Sequence, residues 1–380
     1  MTKQNTPVAT NKNLILNLIS DYAGQGTIRN LWPFQVINSI YGQKQQLINN
    51  WLHFFPDNPN VLAQAKAIYF QRQMSPQQLM AVQHYKMKQS DFKYKMVWDM
   101  DDMVWGFNEL QGGSKEEGIP SYNGSWSNIT TEMKNSSVEI MRLMDVCILS
   151  TQYLADYVER EFGITNTVVV PNTVPKAYWG YHNRTPITSA ITKPRIAYTG
   201  SPTHYDNKKK LLGDWDNSWK DYIVNKIKSD EIEFTVYGGL PWFLEDVKDL
   251  ITIKPWVPIF ALHHEIKNGN HDFCINPLVR NDFNYGKSDL KLVESAAAGM
   301  ACIGTVFTNN KPSPYDHSFI TAPDNITEDG IDKLIKKFSK PKAFNEVIAK
   351  QTDWIESEGR WTESPKYINR FVKILTEPVV

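Results

Sequence analysis

The chain has little cysteine. Cys147, Cys274 and Cys302 are the only three in 380 residues. An odd, unclustered set of thiols, each inside an apolar run, excludes a disulfide scaffold and a structural zinc centre. It predicts buried free thiols in a reducing compartment. Net charge is also missing, since 41 Lys and Arg balance 41 Asp and Glu. A neutral chain has no overall field to gather nucleic acid, although Lys208, Lys209 and Lys210 form a local basic run. No apolar run approaches the roughly 20 residues that span a bilayer. The opening MTKQNTPVATNKN is polar and lacks a signal core. These absences predict a soluble, cytoplasmic protein with no membrane span. The chain carries no internal repeat and no low-complexity tract.

Aromatics, by contrast, are plentiful, with 12 Trp and 17 Tyr. Some are expected to line a binding surface rather than fill core. Short apolar runs alternate with helical patterns along the whole length. Candidate strands are 14–19, 67–70, 96–98, 146–149 and 167–170, then 195–198, 233–237, 250–253, 272–275 and 300–304. Helices are expected over 76–88, 128–144, 152–162, 331–338, 344–356 and 365–375, and near Trp32-Pro33, where proline suits a first helical position. Such alternation predicts an α/β protein with parallel sheets covered on both faces. The polar, proline-containing stretch 172–194 reads as a linker. The expected organisation is a disordered tail (1–12), a first Rossmann-like domain (13–171), the linker, a second Rossmann-like domain (195–356) and a C-terminal segment (357–380). In open α/β sheets, ligands sit where the loops gather at the carboxyl ends of the strands.

Four groups of residues carry chemistry. Lys287, Lys291 and Glu294 sit at i, i+4 and i+7, so a helix would place two cations and a carboxylate on one stripe. Leu290, Val293 and Ala297 would make the apolar stripe, and Ser288 is the candidate N-cap. A helix N-terminus with lysines holds phosphate, and a carboxylate two turns on accepts from a ribose diol. A surface-solvating amphipathic helix has the same pattern. Gly200, Ser201 and His204 follow a strand, where glycine admits close backbone approach and the polar groups suit phosphate. An ordinary polar turn reads alike. Gly24 and Gly26 form a glycine loop without the third glycine of a dinucleotide fingerprint, and Arg29 lies nearby. Arg72 follows another strand. His263, His264 and Glu265 lack metal-ligand spacing on a helix and read as surface.

Asp99, Asp101 and Asp102 crowd three carboxylates into four residues. Mg²⁺ or Mn²⁺ binding, acid–base work on an acceptor hydroxyl, and a solvated loop each account for such a cluster.

The segment Asn276 to Gly304, NPLVRNDFNYGKSDLKLVESAAAGMACIG, resembles the C-terminal nucleotide-sugar motif of GT-B glycosyltransferases. The likeness is to the retaining group that includes sucrose and glycogen synthases. Glu294 matches the glutamate that contacts the donor ribose. Gly286 stands where the family often has a second glutamate. The loop from Tyr198 to His204 is similar to the family's diphosphate loop, and the turn Val170 to Pro175 to its domain junction.

The resemblance is specific over 196–204 and 276–304 and covers most of the chain in layout. It implies two Rossmann-like domains facing a central cleft, with the C-terminal helix crossing back to the first. It further implies transfer of a sugar from a nucleotide diphosphate, a UDP-sugar favoured, to an acceptor hydroxyl. Lys287, Lys291, Ser288, Gly200, Ser201 and His204 would hold the diphosphate, and Gly24 and Gly26 would approach it. Gly238 and Val257 would flank the base. Asp101 or Asp102 would handle the acceptor, with Asp99 in support. No metal or cofactor is required beyond the nucleotide sugar, although Mg²⁺ or Mn²⁺ at the aspartates stays open. The lysine- and asparagine-rich chain also resembles bacteriophage glycosyltransferases, some of which modify hydroxymethylated pyrimidines in DNA. A nucleotide-sugar epimerase and a non-catalytic nucleotide-sugar-binding protein are the alternatives.

Overall fold

A computed structural model describes residues 12–52, 55–106, 129–180 and 184–377. The tail expected over 1–12 thus lies outside the described residues apart from Lys12. The chain divides into two compact units. One comprises Met1–Asp102, Thr130–Thr173 and Gly359–Val380, the other Met103–Ile129 and Val174–Glu358.

In the first unit, strands β1 (Leu14–Leu18), β2 (Ile48–Leu52), β3 (Ala65–Gln71), β4 (Lys95–Met100), β5 (Val146–Leu149) and β6 (Thr167–Val169) form one sheet. The order is β2-β1-β3-β4-β5-β6, and every described pairing is parallel. The central strands are buried along their length because helices cover both faces, which is why they read as unbroken apolar runs. β2 was not expected. Its sequence INNWL alternates between exposed and buried, as an edge strand does.

The last helix, Pro365–Thr376, belongs to this unit although it is farthest along the chain. Phe371 packs edge-on against Phe34 and Tyr69, with centroids 5.5 and 5.9 Å away. Such pairs add about 0.5–1.5 kcal/mol each beyond burial. Tyr367, Ile368 and Leu375 join the same core.

In the second unit, β7 (Arg195–Thr199), β8 (Glu233–Tyr237), β9 (Thr252–Lys254), β10 (Phe273–Asn276), β11 (Ala301–Val306) and β12 (Ile320–Pro323) run β12-β11-β10-β7-β8-β9, again all parallel. The order reverses between β7 and β10, so the unit's topological switch point lies at the carboxyl ends of those two strands. Trp215, Trp219, Phe234, Phe273 and Phe344 fill its core. The stretch read as a linker is not structureless, since Lys176–Trp179 forms a helical turn with Trp179 buried.

The glycine loop is also corrected. Gly24–Gly26 is the first turn of a helical run that continues through a π turn, Thr27–Leu31, into Trp32–Ile40. Asp21 Oδ1 caps it, accepting from the backbone N–H of Ala23 at 2.8 Å and of Gly26 at 3.3 Å. A Cβ on Gly26 would lie 1.8 Å from the Asp21 carbonyl oxygen, so this glycine serves close packing rather than an open loop. The α-helix Trp32–Ile40 carries Pro33 in its first turn, continuous with the π turn before it. Proline has no N–H, and the Arg29 carbonyl four residues back accepts from the Tyr69 hydroxyl at 3.0 Å.

Candidate functional site

β7 ends in Thr199-Gly200-Ser201, and β10 in Asn276. Both ends lie at the switch point. A Cβ on Gly200 would lie 2.2 Å from the Tyr198 hydroxyl, so glycine lets the buried ring fold under the turn. Gly238, after β8, has φ +94°, a conformation that favours glycine. Its Cβ position is 3.2 Å from the Gly200 carbonyl and 3.3 Å from the Trp256 ring. Gly238 thus packs against both the Gly200 turn and the residue that precedes Val257. Gly238 meets the Gly200 turn directly, whereas Val257 is half-buried and follows Trp256, which is 64% exposed.

The segments after β7 and β10 are tied by charge. His204 Nδ1 lies 2.5 Å from Asp214 Oδ2. Lys287 Nζ is 3.1 Å from the same oxygen, and Asn284 Nδ2 donates to Asp214 Oδ1 at 2.8 Å. Asp214 and Asn284 were missed by the sequence reading. Nothing local marks them, because their role comes from tertiary pairing with residues about 70 positions apart. Gly213 has φ +65° and packs against the His204 carbonyl, which sets Asp214 in place.

Burial first, and then the charge of Lys287, push His204 below the usual histidine range, against the pull of Asp214. His204 Nδ1 faces both Asp214 and the Lys287 ammonium, the latter 3.2 Å away. The imidazole orients the carboxylate that holds Lys287. Ser201 and Thr203 hydroxyls lie 2.5 Å apart and bond each other, and Lys208, Lys209 and Lys210 are exposed on a turn capped by Asp206.

The helix after β10 is shorter than its pattern suggested. It spans Leu290–Ala297, with Asp289 rather than Ser288 at the N-cap position, and the Asp289 side chain makes no capping bond to the first turn. A separate turn, Asp282–Tyr285, capped by Asn281, precedes it. The Lys287 N–H still bonds back to the Asn284 carbonyl at 3.3 Å, so Lys287 and Ser288 lie between the two. The expected polar stripe is also largely covered. From Leu292 to Ala297 every residue is buried, because this helix packs against both β11 and the helix Pro341–Ser357. Lys291 Nζ reaches Glu294 Oε2 at 2.9 Å, and the two side chains are 28% and 5% exposed.

In the first unit, the aspartates at the end of β4 separate into distinct environments. Asp99 is fully buried and takes a bidentate pair from Arg29, at 2.8 and 2.7 Å. Arg29 Nη1 also donates to the Val170 carbonyl and to Asn172 Oδ1, at 2.7 and 3.0 Å. Burial alone would lower the guanidinium pKa, but the charge and hydrogen bonds of Asp99 outweigh it and raise it. Arg29 is thus committed to the core and cannot add charge at a phosphate. Asp101, just past the strand, is buried, and the Ser150 hydroxyl holds its carbonyl at 2.9 Å. Burial, then the charge of Asp102, push the Asp101 carboxyl up to about 7, while Arg29 and Arg72 pull it back. A carboxyl near neutrality exchanges protons readily. Asp102 is half-buried.

Among the described residues no three His, Cys, Asp or Glu converge on a metal-sized site. No described helix is long and apolar enough to cross a membrane. The three cysteines are buried and free. His263, read as surface, is 3% exposed, with its ring tilted against that of His264 at 4.0 Å between centroids. Its pKa is lowered to about 4, chiefly by burial.

No protein-family model matches this sequence, and no curated protein is similar to it in sequence. Solved structures are similar in fold. Anabaena HepE in complex with UDP and glucose superposes with a TM-score of 0.56 at 10% identity, over 95% of this chain and 98% of that one. The same protein with UDP-glucose gives 0.55 at 10% identity, over 95% and 100%. TarM of S. aureus gives 0.50 at 11% identity, over 79% of this chain. This chain spans 58% of TarM's length. Together with the two parallel six-stranded sheets, these likenesses establish an α/β architecture of two Rossmann-like domains, the GT-B fold.

Proposed function

We propose that this chain is a glycosyltransferase that moves a sugar from a nucleoside diphosphate, with UDP favoured, to an acceptor hydroxyl. The observation that carries this reading is the pair of half-open lysine–carboxylate contacts at the switch point, Lys287–Asp214 and Lys291–Glu294. Each lysine is held in place by an internal carboxylate, so little side-chain entropy is lost when an anion arrives. The first turn of the Leu290–Ala297 helix adds backbone N–H groups of the right polarity. Charge building on a departing diphosphate would be offset by these groups without reorganisation. Glu294 Oε2 faces Lys291, leaving the carboxylate's further acceptor capacity for a ribose hydroxyl. The fold shared with HepE, solved with UDP and with UDP-glucose, supports the choice of donor.

Asp101 is assigned to the acceptor. Its carboxyl near pH 7 suits a group that orients a hydroxyl and takes its proton. Asp99 acts as a positioning residue through Arg29. Gly200 and Gly238 shape the turns beside the switch-point site by leaving room for the Tyr198 and Trp256 rings. The acceptor is a hydroxyl compound, with hydroxymethylated pyrimidine DNA among those to be screened.

The test is product analysis after incubation with UDP-, GDP- and ADP-sugars, with and without acceptor mixtures and Mg²⁺ or Mn²⁺. The expected result is free nucleoside diphosphate that grows with acceptor and disappears in Asp101→Asn. Release of an altered nucleotide sugar would replace transfer by epimerisation. Tight donor binding with no product under any condition would sink the catalytic reading.

A further inference from the structure

The first unit has a second polar feature, at the opposite end of its strands from the Asp99–Asp102 turn. A recess of about 330 Å³ is lined by Lys12, Lys66, Lys93 and Lys95, together with Tyr94, Thr376, Asp145 and Glu377. Lys66 and Lys95 lie at the starts of β3 and β4, Lys12 just precedes β1, and Lys93 closes the helix Pro76–Phe92. Two of the ammonium groups are tethered. Lys12 Nζ donates to the Phe92 carbonyl, and Lys95 Nζ to the Glu377 carbonyl at 2.9 Å. Neither Lys66 nor Lys93 makes an ion pair among the described residues.

We propose that this recess binds a phosphate-type dianion. Four lysines against two carboxylates leave a local charge of +2, the complement of a phosphate monoester. Asp145 has prior commitments. Its Oδ2 accepts from the Met96 N–H at 2.7 Å and from Gln89 Nε2 at 2.6 Å, and Lys86 lies 3.5 Å from its Oδ1. Gathering like charges has a cost. Burial, then the charges of Lys66 and Lys93, hold Lys12 below the usual lysine range, and burial does the same to Lys95. A bound oxyanion would relieve that crowding. The two carboxylates in the lining disfavour an extended polyanion, so the ligand is a small phosphate ester, free or as a lipid headgroup.

Lys93 offers a clean probe. It sits at φ +54°, a conformation in which glycine is at ease. Lys93→Gly therefore removes an ammonium while relieving backbone strain, and Lys66→Gln removes a second at constant shape. Inorganic phosphate is titrated calorimetrically into the full chain, the double variant and Lys287→Ala. In parallel, each is co-sedimented with vesicles of phosphatidic acid in phosphatidylcholine. The expected result is a binding event that weakens roughly tenfold or more in the double variant and persists in Lys287→Ala, which separates it from the switch-point site. Dependence on Lys66 and Lys93 with phosphate identifies a soluble ligand; the same dependence with vesicles alone identifies a headgroup. No binding of either probe, or equal binding by the wild type and a folded double variant, overturns the proposal.

Discussion

Arg29–Asp99 and Lys291–Glu294 are both cation–carboxylate pairs at carboxyl ends of parallel sheets, yet their surroundings are opposite. Arg29 and Asp99 are 2% and 0% exposed, and the guanidinium spends its donors on Asp99, Val170 and Asn172. Lys291 is 28% exposed and, among the described residues, rests on a single carboxylate contact. The first pair joins the helix after β1 to β4 and to the end of β6. The second leaves a cation at the rim of a switch point. Similar charge pairing is closed off in one unit and left accessible in the other, where we propose that it meets a ligand. Access separates the two, together with the number of donors already committed.

Breaking the closed pair gives the largest expected effect. Asp99→Ala leaves a buried arginine without its counter-charge and should cost about 3–5 kcal/mol in urea or thermal unfolding. A double replacement, Arg29→Met with Asp99→Leu, should recover much of that loss. A single-variant loss below about 1 kcal/mol would show that the pair does not hold the unit together.

The open pair should respond in binding instead. Lys291→Ala and Glu294→Gln should each weaken nucleoside diphosphate affinity by about 1.5–3 kcal/mol, roughly tenfold to a hundredfold, with little change in Tm. Calorimetric titration alongside thermal unfolding separates the two effects. Loss of stability with unchanged affinity would make this pair structural too.

Asp101 lies between these cases, buried but titrating near neutrality. Its folded-state pKa is raised to about 7 from 3.8. The carboxyl's stabilising contribution is thus complete below about pH 4 and is lost as pH rises through 7. Asp101→Asn, which stays neutral, should gain on the wild type by about 2–3 kcal/mol between pH 5 and pH 8. Parallel stability–pH curves for the two proteins would rule out the raised carboxyl. The smallest effect belongs to a fully solvated pair such as Lys333–Asp329, where Asp329→Asn should leave Tm unchanged within error.

Much of this contrast was hidden in the sequence. The central strands were legible because burial on both faces demands continuous apolar runs. The edge strands β2 and β12 were not, since two asparagines interrupt INNWL and ITAP ends in proline. Gly24-Gln-Gly26 read as a loop because glycine usually marks one, whereas packing against the Asp21 carbonyl required it within a helix. Lys287, Lys291 and Glu294 were visible by spacing. Their partner Asp214 was not, because only the fold brings residues 204, 214, 284 and 287 together. Sequence also could not divide the aspartates into a locked Asp99 and a titrating Asp101, since that depends on Arg29, 70 residues away.

The central claim is that a nucleoside diphosphate binds at the carboxyl ends of β7 and β10, against Lys287 and Lys291. Isothermal titration of UDP into the wild type, Lys287→Ala and Lys291→Ala tests it most directly. The account predicts binding by the wild type and at least roughly tenfold weaker binding by each variant, all three remaining folded. Equal UDP affinity in all three proteins would contradict it.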